Sequence, residues 1–258
     1  MSQRFVLQDG VHRSDGQVHL DADDQALLLG RGVFETLRTY DGRLFGLAAH
    51  LDRLLASAAA AGIQAKDRVV LSDELTQAAS AIDSEAVVRI TLTHGGHRIV
   101  RSSPLQPALS SYRCATRQWV PPAWLDGSVK HTSRAFSIVG VEDAGVDEVI
   151  WVDEGGDLLE GTRSNVFAAI DGVLCTPALD GRQLAGITRA ALIRAARDAG
   201  VPVSERPMHK AASFDELYLS STLKELSPIG VLDGHPAPGS GPVGDAVSAA
   251  FQAAIRMR

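Results

Sequence analysis

The sequence predicts an α+β fold in two parts, and three observations carry that prediction. Strand-like runs recur in pairs around Asp-Gly and Gly-Gly turns. Helical runs are scattered among these pairs rather than alternating with single strands, which argues against a doubly wound sheet. A Pro-rich stretch interrupts the chain near its middle, at WVPPAWLDGS around Val120. The 258 residues suffice for one large or two modest domains, each with its own core. The break divides them into an N-terminal small domain over 1–118, a linker over 119–127 and a C-terminal domain over 128–258.

The elements follow in order. Phe34 to Phe45 reads as a hairpin about Asp41-Gly42. Leu47, Leu51, Leu54, Leu55 and Ala58 recur at helical spacing until Gly62 stops the run. Arg53 points away from that apolar stripe. Ala86 to Thr93, AVVRITLT, is a β-branched strand. Glu148 to Val152 and Asp157 to Glu160 flank Gly155-Gly156, and Asn165 to Ile170 and Val173 to Thr176 flank Asp171-Gly172, giving two further hairpins. Thr188 to Ala199 is a helix with Leu192, Ile193 and Ala196 on one face and Arg189, Arg194 and Arg197 elsewhere. Leu217 to Ser221 is a short strand.

Composition narrows the function. A net charge of −6 disfavours a nucleic-acid partner, because phosphate binding wants a basic face. No apolar run approaches a membrane span, and the opening MSQRFVLQDG lacks a signal-peptide pattern. Cys114 and Cys175 have neither a disulfide framework nor metal-ligand spacing, so they read as ordinary thiols in a reducing cytoplasm, and no metal site is expected. Walker, dinucleotide-binding, His-Glu-x-x-His and Gly-x-Ser-x-Gly motifs are all missing.

Five sequence blocks then stand in order. They are Leu29-Gly30-Arg31-Gly32-Val33-Phe34-Glu35-Thr36-Leu37-Arg38, His50-Leu51-Asp52-Arg53-Leu54 with Ser57-Ala58, Leu159-Glu160-Gly161 through Ser164-Asn165-Val166-Phe167 to Thr176-Pro177, Leu184-Ala185-Gly186-Ile187-Thr188-Arg189, and Asp215-Glu216-Leu217 with Ser221-Thr222 and Glu225 to Pro228. From about residue 5 to about residue 235 they resemble, in order and spacing, the fold-type IV pyridoxal-phosphate aminotransferases, the class IV family. That resemblance implies a smaller N-terminal α/β domain, a larger C-terminal domain with the cofactor between them, and a homodimer whose active site borrows a loop from the other subunit.

The resemblance also implies roles. Lys130, thirty residues before Glu160, matches the Schiff-base lysine. The chemistry needs an amine that can be neutral, so that it serves as nucleophile and proton carrier; a solvated strand lysine would look the same in isolation. Glu160 would hold the pyridine nitrogen protonated so that the ring accepts electrons. Arg53, Ile187, Thr188 and Thr222 would bind the phosphate, the middle pair at a helix N-terminus suited to an anion. Ser164, Asn165 and Ser221 belong to the same cofactor set.

Substrate residues are read from Phe34, Glu35, His97, Arg98, Arg101 and Arg134. Phe34 stands where D-amino-acid transaminases carry tyrosine. His97, Arg98 and Arg101 lie where those enzymes carry an Arg-x-His carboxylate trap, here without its proline and at different spacing; Arg98 or Arg101 could bind a carboxylate. Arg134, four residues after Lys130, resembles a pattern of aminodeoxychorismate lyases, and the Asn-Tyr pair of branched-chain transaminases is missing. The expected activity is amino transfer between an amino acid or amine and a 2-keto acid. The alternatives are 4-amino-4-deoxychorismate lyase, giving 4-aminobenzoate and pyruvate, and a non-catalytic cofactor-binding protein.

Overall fold

Asp-Gly pairs set the hairpins of this chain. In the computed structural model, which describes residues 4–119 and 126–256, φ is positive at both residues of Asp41-Gly42 (49° and 72°) and Asp171-Gly172 (50° and 77°). Two positive values in succession are the type I′ condition for a two-residue hairpin, and glycine supplies the second without steric cost. Asp9-Gly10 and Asp233-Gly234 repeat the geometry.

The chain forms two compact units. The first runs to Pro107 and takes back Val129–Arg134. Its strands are β1 (Phe5–Gln8), β2 (Val11–His12), β3 (Gly32–Tyr40), β4 (Arg43–Leu44), β5 (Ala86–Thr93) and β6 (Arg98–Pro104), antiparallel in the order β2-β1-β6-β5-β3-β4. The helices are α1 (Gln25–Leu29), α2 (Leu47–Ala60) and α3 (Arg68–Ser80). Strand alternation decides which face is covered. Ala86, Val88, Ile90 and Leu92 of β5 are buried, and with Leu37 of β3 and Val100 of β6 they meet Leu51 and Leu54 of α2 and Leu71 and Leu75 of α3. Val87, Arg89 and Thr91 point to the opposite face.

The second unit carries β7 (Tyr112–Gln118), β8 (Glu148–Val152), β9 (Leu158–Gly161), β10 (Asn165–Ile170), β11 (Val173–Thr176), β12 (Val203–Glu205), β13 (Glu216–Ser221), β14 (Glu225–Leu232) and β15 (His235–Pro236). They pair in the order β12-β11-β10-β13-β14-β7-β8-β9, with β15 on β14. Three of these pairings are parallel, β11 with β12, β14 with β7 and β7 with β8. Its helices are α4 (Ala135–Ala144), α5 (Ile187–Asp198) and α6 (Pro242–Arg256). Glu216 caps α6, accepting from Val243 N at 2.9 Å and Gly244 N at 2.8 Å, which places a carboxylate at the helix start.

The division differs from the expected 1–118 and 128–258. Tyr112–Gln118 is a strand of the second unit because it pairs in parallel with β14 and β8, partners more than thirty residues away. Val129–Arg134 belongs to the first unit because the start of β3 has an edge that β4 does not reach. Phe34 N donates to Lys130 O at 3.0 Å, and Thr132 N donates to Gly32 O at 2.8 Å, so the returning chain satisfies that edge. Most of the expected linker, 120–125, lies outside the described residues.

Two orientations also differ from expectation. Arg189 lies with Leu192, Ile193 and Ala196 on the buried face of α5, where its guanidinium donates to Pro177 O at 2.8 Å and Glu205 at 2.7 Å. Arg53 is drawn inward by a carboxylate on β3, as described below. Cys114 and Cys175 are free and buried, and burial pushes the Cys114 thiol up to about 12, which leaves it protonated and unreactive. Among the described residues no helix is long and apolar enough to cross a membrane.

Candidate active site

Within the first unit, three polar residues of α2 line one buried edge. His50, Arg53 and Ser57 follow at spacings of three and four, beside the apolar Leu51 and Leu54. Glu35 reaches this edge from β3 and is 1% exposed. Arg53 Nε donates to Glu35 Oε1 at 2.6 Å and Arg53 Nη2 to Oε2 at 2.8 Å, a bidentate pair that fixes the guanidinium plane. His50 Nδ1 lies 2.7 Å from Glu35 Oε2. Burial alone would raise the Glu35 carboxyl, but hydrogen bonds and charge from Arg53 and His50 outweigh it and hold it at about 2. Burial lowers His50, further helped by the charges of Arg53 and Lys130 and opposed by Glu35, so the imidazole stays neutral and donates through Nδ1. Glu35 was expected at the substrate; its side chain instead orients Arg53 on the helix-covered face.

Ser57 ties this edge to the lysine segment, since Lys130 N donates to Ser57 Oγ at 3.2 Å. With Lys130 O accepting from Phe34 N, the lysine backbone is held on both sides. The side-chain nitrogen Nζ of Lys130 lies 4.9 Å from the centroid of the Phe34 ring, and Arg89 Cζ lies 3.7 Å from the same centroid. Arg89 sits directly across from Arg101 in the β5–β6 ladder. Burial, then the charges of Arg101 and Arg134, lowers the Arg89 guanidinium to about 10, against an opposing pull from Glu35. Arg89, Arg101 and Arg134 therefore form one cationic group in this unit, and the Phe34 ring is the shared neighbour of Arg89 and Lys130. Like charges directly opposite each other on a sheet are destabilising. Arg89 was not among the expected residues, although a single arginine among β-branched neighbours in AVVRITLT was the available signal.

His97 and Arg98 do not join that group. Strand parity separates Arg98 from Arg101, three residues apart, onto opposite faces of β6. Arg98 Nη2 donates to Glu74 on α3 at 2.7 Å and its Nε to the same carboxylate at 3.1 Å, while His97 Nδ1 lies 2.8 Å from Asp9 Oδ2. Their side chains are committed to binding β6 to α3 and to the β1–β2 turn.

The second unit carries the remaining expected residues. Glu160 on β9 accepts from Leu184 N at 2.9 Å through Oε2, and Asn165 on β10 donates through Nδ2 to Leu184 O at 2.9 Å. Ser164 Oγ donates to Glu148 at 2.7 Å; Glu148 is wholly buried and also receives Lys224 Nζ at 2.6 Å. Ser164 thus braces the turn after Glu160. Gly186 caps α5 without a side-chain hydrogen bond, and the first helical bond runs from Ala190 N to Gly186 O at 3.0 Å. The N–H groups of Ile187, Thr188 and Arg189 stand ahead of it, as an anion site requires. Thr188 is buried in that first turn. Ser221 Oγ accepts from Lys224 N at 3.2 Å in the turn that also holds Thr222. Ser220, which sequence reasoning passed over, is buried with an unpartnered hydroxyl.

The family model of class IV aminotransferases matches residues 32–231. The chain belongs to the class IV aminotransferase family. A Methanocaldococcus jannaschii protein provisionally named a branched-chain-amino-acid aminotransferase is 31% identical, covering 82% of each chain. A Listeria monocytogenes D-alanine aminotransferase is 30% identical over 87% of this chain and 85% of its own length. Among solved structures, a Mycobacterium tuberculosis aminotransferase described as hypothetical, in its PLP-bound form, is 29% identical with a TM-score of 0.87, covering 99% of this chain and 100% of that one. Class IV aminotransferases are pyridoxal-phosphate enzymes, and this chain is a transaminase of that class. Its residues fit the cofactor: the start of α5 has no side-chain cap, and a Cβ on Gly186 would overlap Asn165 Oδ1, so the helix start is kept open for an outside acceptor.

Proposed function

We propose that this aminotransferase moves an amino group between an amino acid and a 2-keto acid, with Lys130 as the residue that bonds the cofactor. The observation that carries the reading is the placement of Lys130, its backbone fixed by Ser57 and Phe34 and its amine beside a ring shared with Arg89. Bound pyridoxal phosphate supplies an electrophilic carbon for the amine and a ring that accepts electrons. Lys130 would hold that group through Nζ and would take up the proton that leaves the substrate α-carbon. Glu160 would keep the ring nitrogen protonated. By the family resemblance Arg53, oriented by Glu35, would bind the phosphate, as would Ile187 and Thr188 through backbone N–H groups and Thr222 through its hydroxyl.

Arg89, Arg101 and Arg134 supply the substrate's carboxylate partner. Their mutual repulsion is relieved when a carboxylate binds, and an amine lacking one gains nothing there. Three consecutive leucines on α1, Leu27, Leu28 and Leu29, are 61%, 61% and 70% exposed, which supports a second copy of the chain as partner in a homodimer. The two buried free cysteines suit a reducing cytoplasm.

A panel of D-alanine, L-leucine, (R)-1-phenylethylamine and aminodeoxychorismate tests the activity. Turnover of an amino acid only when a 2-keto acid is added supports the reading. Pyruvate released from aminodeoxychorismate without any keto acceptor, and no amino transfer, would replace it with the lyase.

A further inference from the structure

We infer that Asn165 is a positioning residue for the phosphate end of the cofactor, acting with Glu160 through the Leu184 peptide. The inference rests on the proposed cofactor assignment and adds a coupling between the group that meets the ring and the helix that meets the phosphate.

Leu184 lies two residues before Gly186, the N-cap of α5, in a stretch without regular secondary structure. Both polar groups of its main chain are held by side chains from the sheet. Its N–H donates to Glu160 Oε2 at 2.9 Å, and its carbonyl accepts from Asn165 Nδ2 at 2.9 Å. The anchors come from β9 and β10, so the last turn of chain before the helix is fixed to rigid elements. Removing either anchor frees the segment that sets where α5 begins.

Asn165 also accounts for the glycine at the cap. A Cβ at Gly186 would overlap Asn165 Oδ1 and press on Arg189 Cβ. The usual Ser, Thr or Asp cap is therefore excluded by the residue that anchors the loop, and the leading N–H groups of α5 are left for an outside acceptor. A second observation points the same way. Ser220 is directly opposite Asn165 in the β10–β13 ladder, on the same sheet face, 1% exposed, with an Oγ that has no partner. A buried orphan hydroxyl, across the ladder from the residue that meets Gly186, calls for an acceptor. The phosphate monoester of the cofactor is an acceptor of that kind.

Glu160 then has two tasks. It is assigned to the ring nitrogen, and it also holds the peptide that places the phosphate-binding helix. Asn165 does only the second.

The test compares two aldehydes on the full-length apoenzyme. Pyridoxal phosphate and pyridoxal share the ring and the carbonyl, and only the first carries the phosphate. Dissociation constants are read from quenching of tryptophan fluorescence, with thermal melts recorded for every variant. Wild type should prefer pyridoxal phosphate. In Asn165→Ala this preference should fall at least tenfold, through weaker binding of pyridoxal phosphate, while the pyridoxal constant changes less than twofold. Asn165→Ser, which keeps a short donor, should recover part of the preference. Gly186→Ala, which displaces Asn165 from the other side, should lose it. Should Asn165→Ala fail to fold, the last two variants carry the same comparison. Equal losses for both aldehydes, or an unchanged preference, would overturn the inference while leaving the cofactor assignment intact. A wild-type protein that binds neither aldehyde would overturn both.

Discussion

Replacing Glu35 by glutamine removes the charge that holds Arg53 and His50 in place, and its cost can be worked from the carboxyl itself. In the folded protein this group is held at about 2 instead of 4.5. At about 1.4 kcal/mol per pH decade, the difference corresponds to about 3 kcal/mol of stability at neutral pH. The folded value is the depressed one, so the contribution is fully present above 4.5 and is lost as pH falls toward 2; by pH 3 about 2 kcal/mol of it is gone. Glu35→Gln should therefore cost about 3 kcal/mol at pH 7, in the range found when one partner of a buried pair is removed, and about 1 kcal/mol at pH 3. In a domain set of this size that is a drop in Tm of roughly 6–12 °C at neutral pH. Melts of both proteins from pH 3 to pH 7 give the measurement. A cost below about 1 kcal/mol, or one that does not shrink as the solution is acidified, would refute the account of this triad.

Arg89→Leu should lower kcat/KM for an amino acid by about 10- to 100-fold, the worth of one charge-assisted hydrogen bond, while leaving a carboxylate-free amine of similar shape within about threefold. Equal effects on both substrates in steady-state kinetics would remove Arg89 from the carboxylate site. Arg98→Gln should do the opposite. Losing the Glu74 pair costs about 1–3 kcal/mol in a denaturation curve, with KM within about twofold of wild type. A tenfold rise in KM without loss of stability would restore Arg98 to the substrate.

Much of the fold was legible because its signals are local. Asp41-Gly42 and Asp171-Gly172 carry their turn geometry in two residues, and the Leu47–Ala58 stripe needs only a helix to bury it. What the sequence hid depends on partners far along the chain. Arg53 reads as an outward residue until Glu35, eighteen positions earlier and on another element, turns it inward. Lys130 reads as part of the C-terminal half until the open edge of β3 takes its segment into the first unit. The lysine itself, Glu160 and the start of α5 were found through their resemblance to a family, not through any local pattern. Arg98 and Arg101 were separable in principle, because residues three apart on a strand face opposite sides. Arg89 was visible as the one charge in a strand of β-branched residues, and Ser220 carried no signal beyond its place beside Ser221.

The central claim is that Lys130, among the four lysines of the chain, bonds the cofactor. Borohydride reduction of the protein loaded with pyridoxal phosphate, followed by peptide mass spectrometry, tests it directly. The account predicts one stable cofactor adduct, on the peptide containing Lys130, and none in Lys130→Ala. An adduct on Lys66, Lys210 or Lys224 instead, or an undiminished yield from Lys130→Ala, would contradict it.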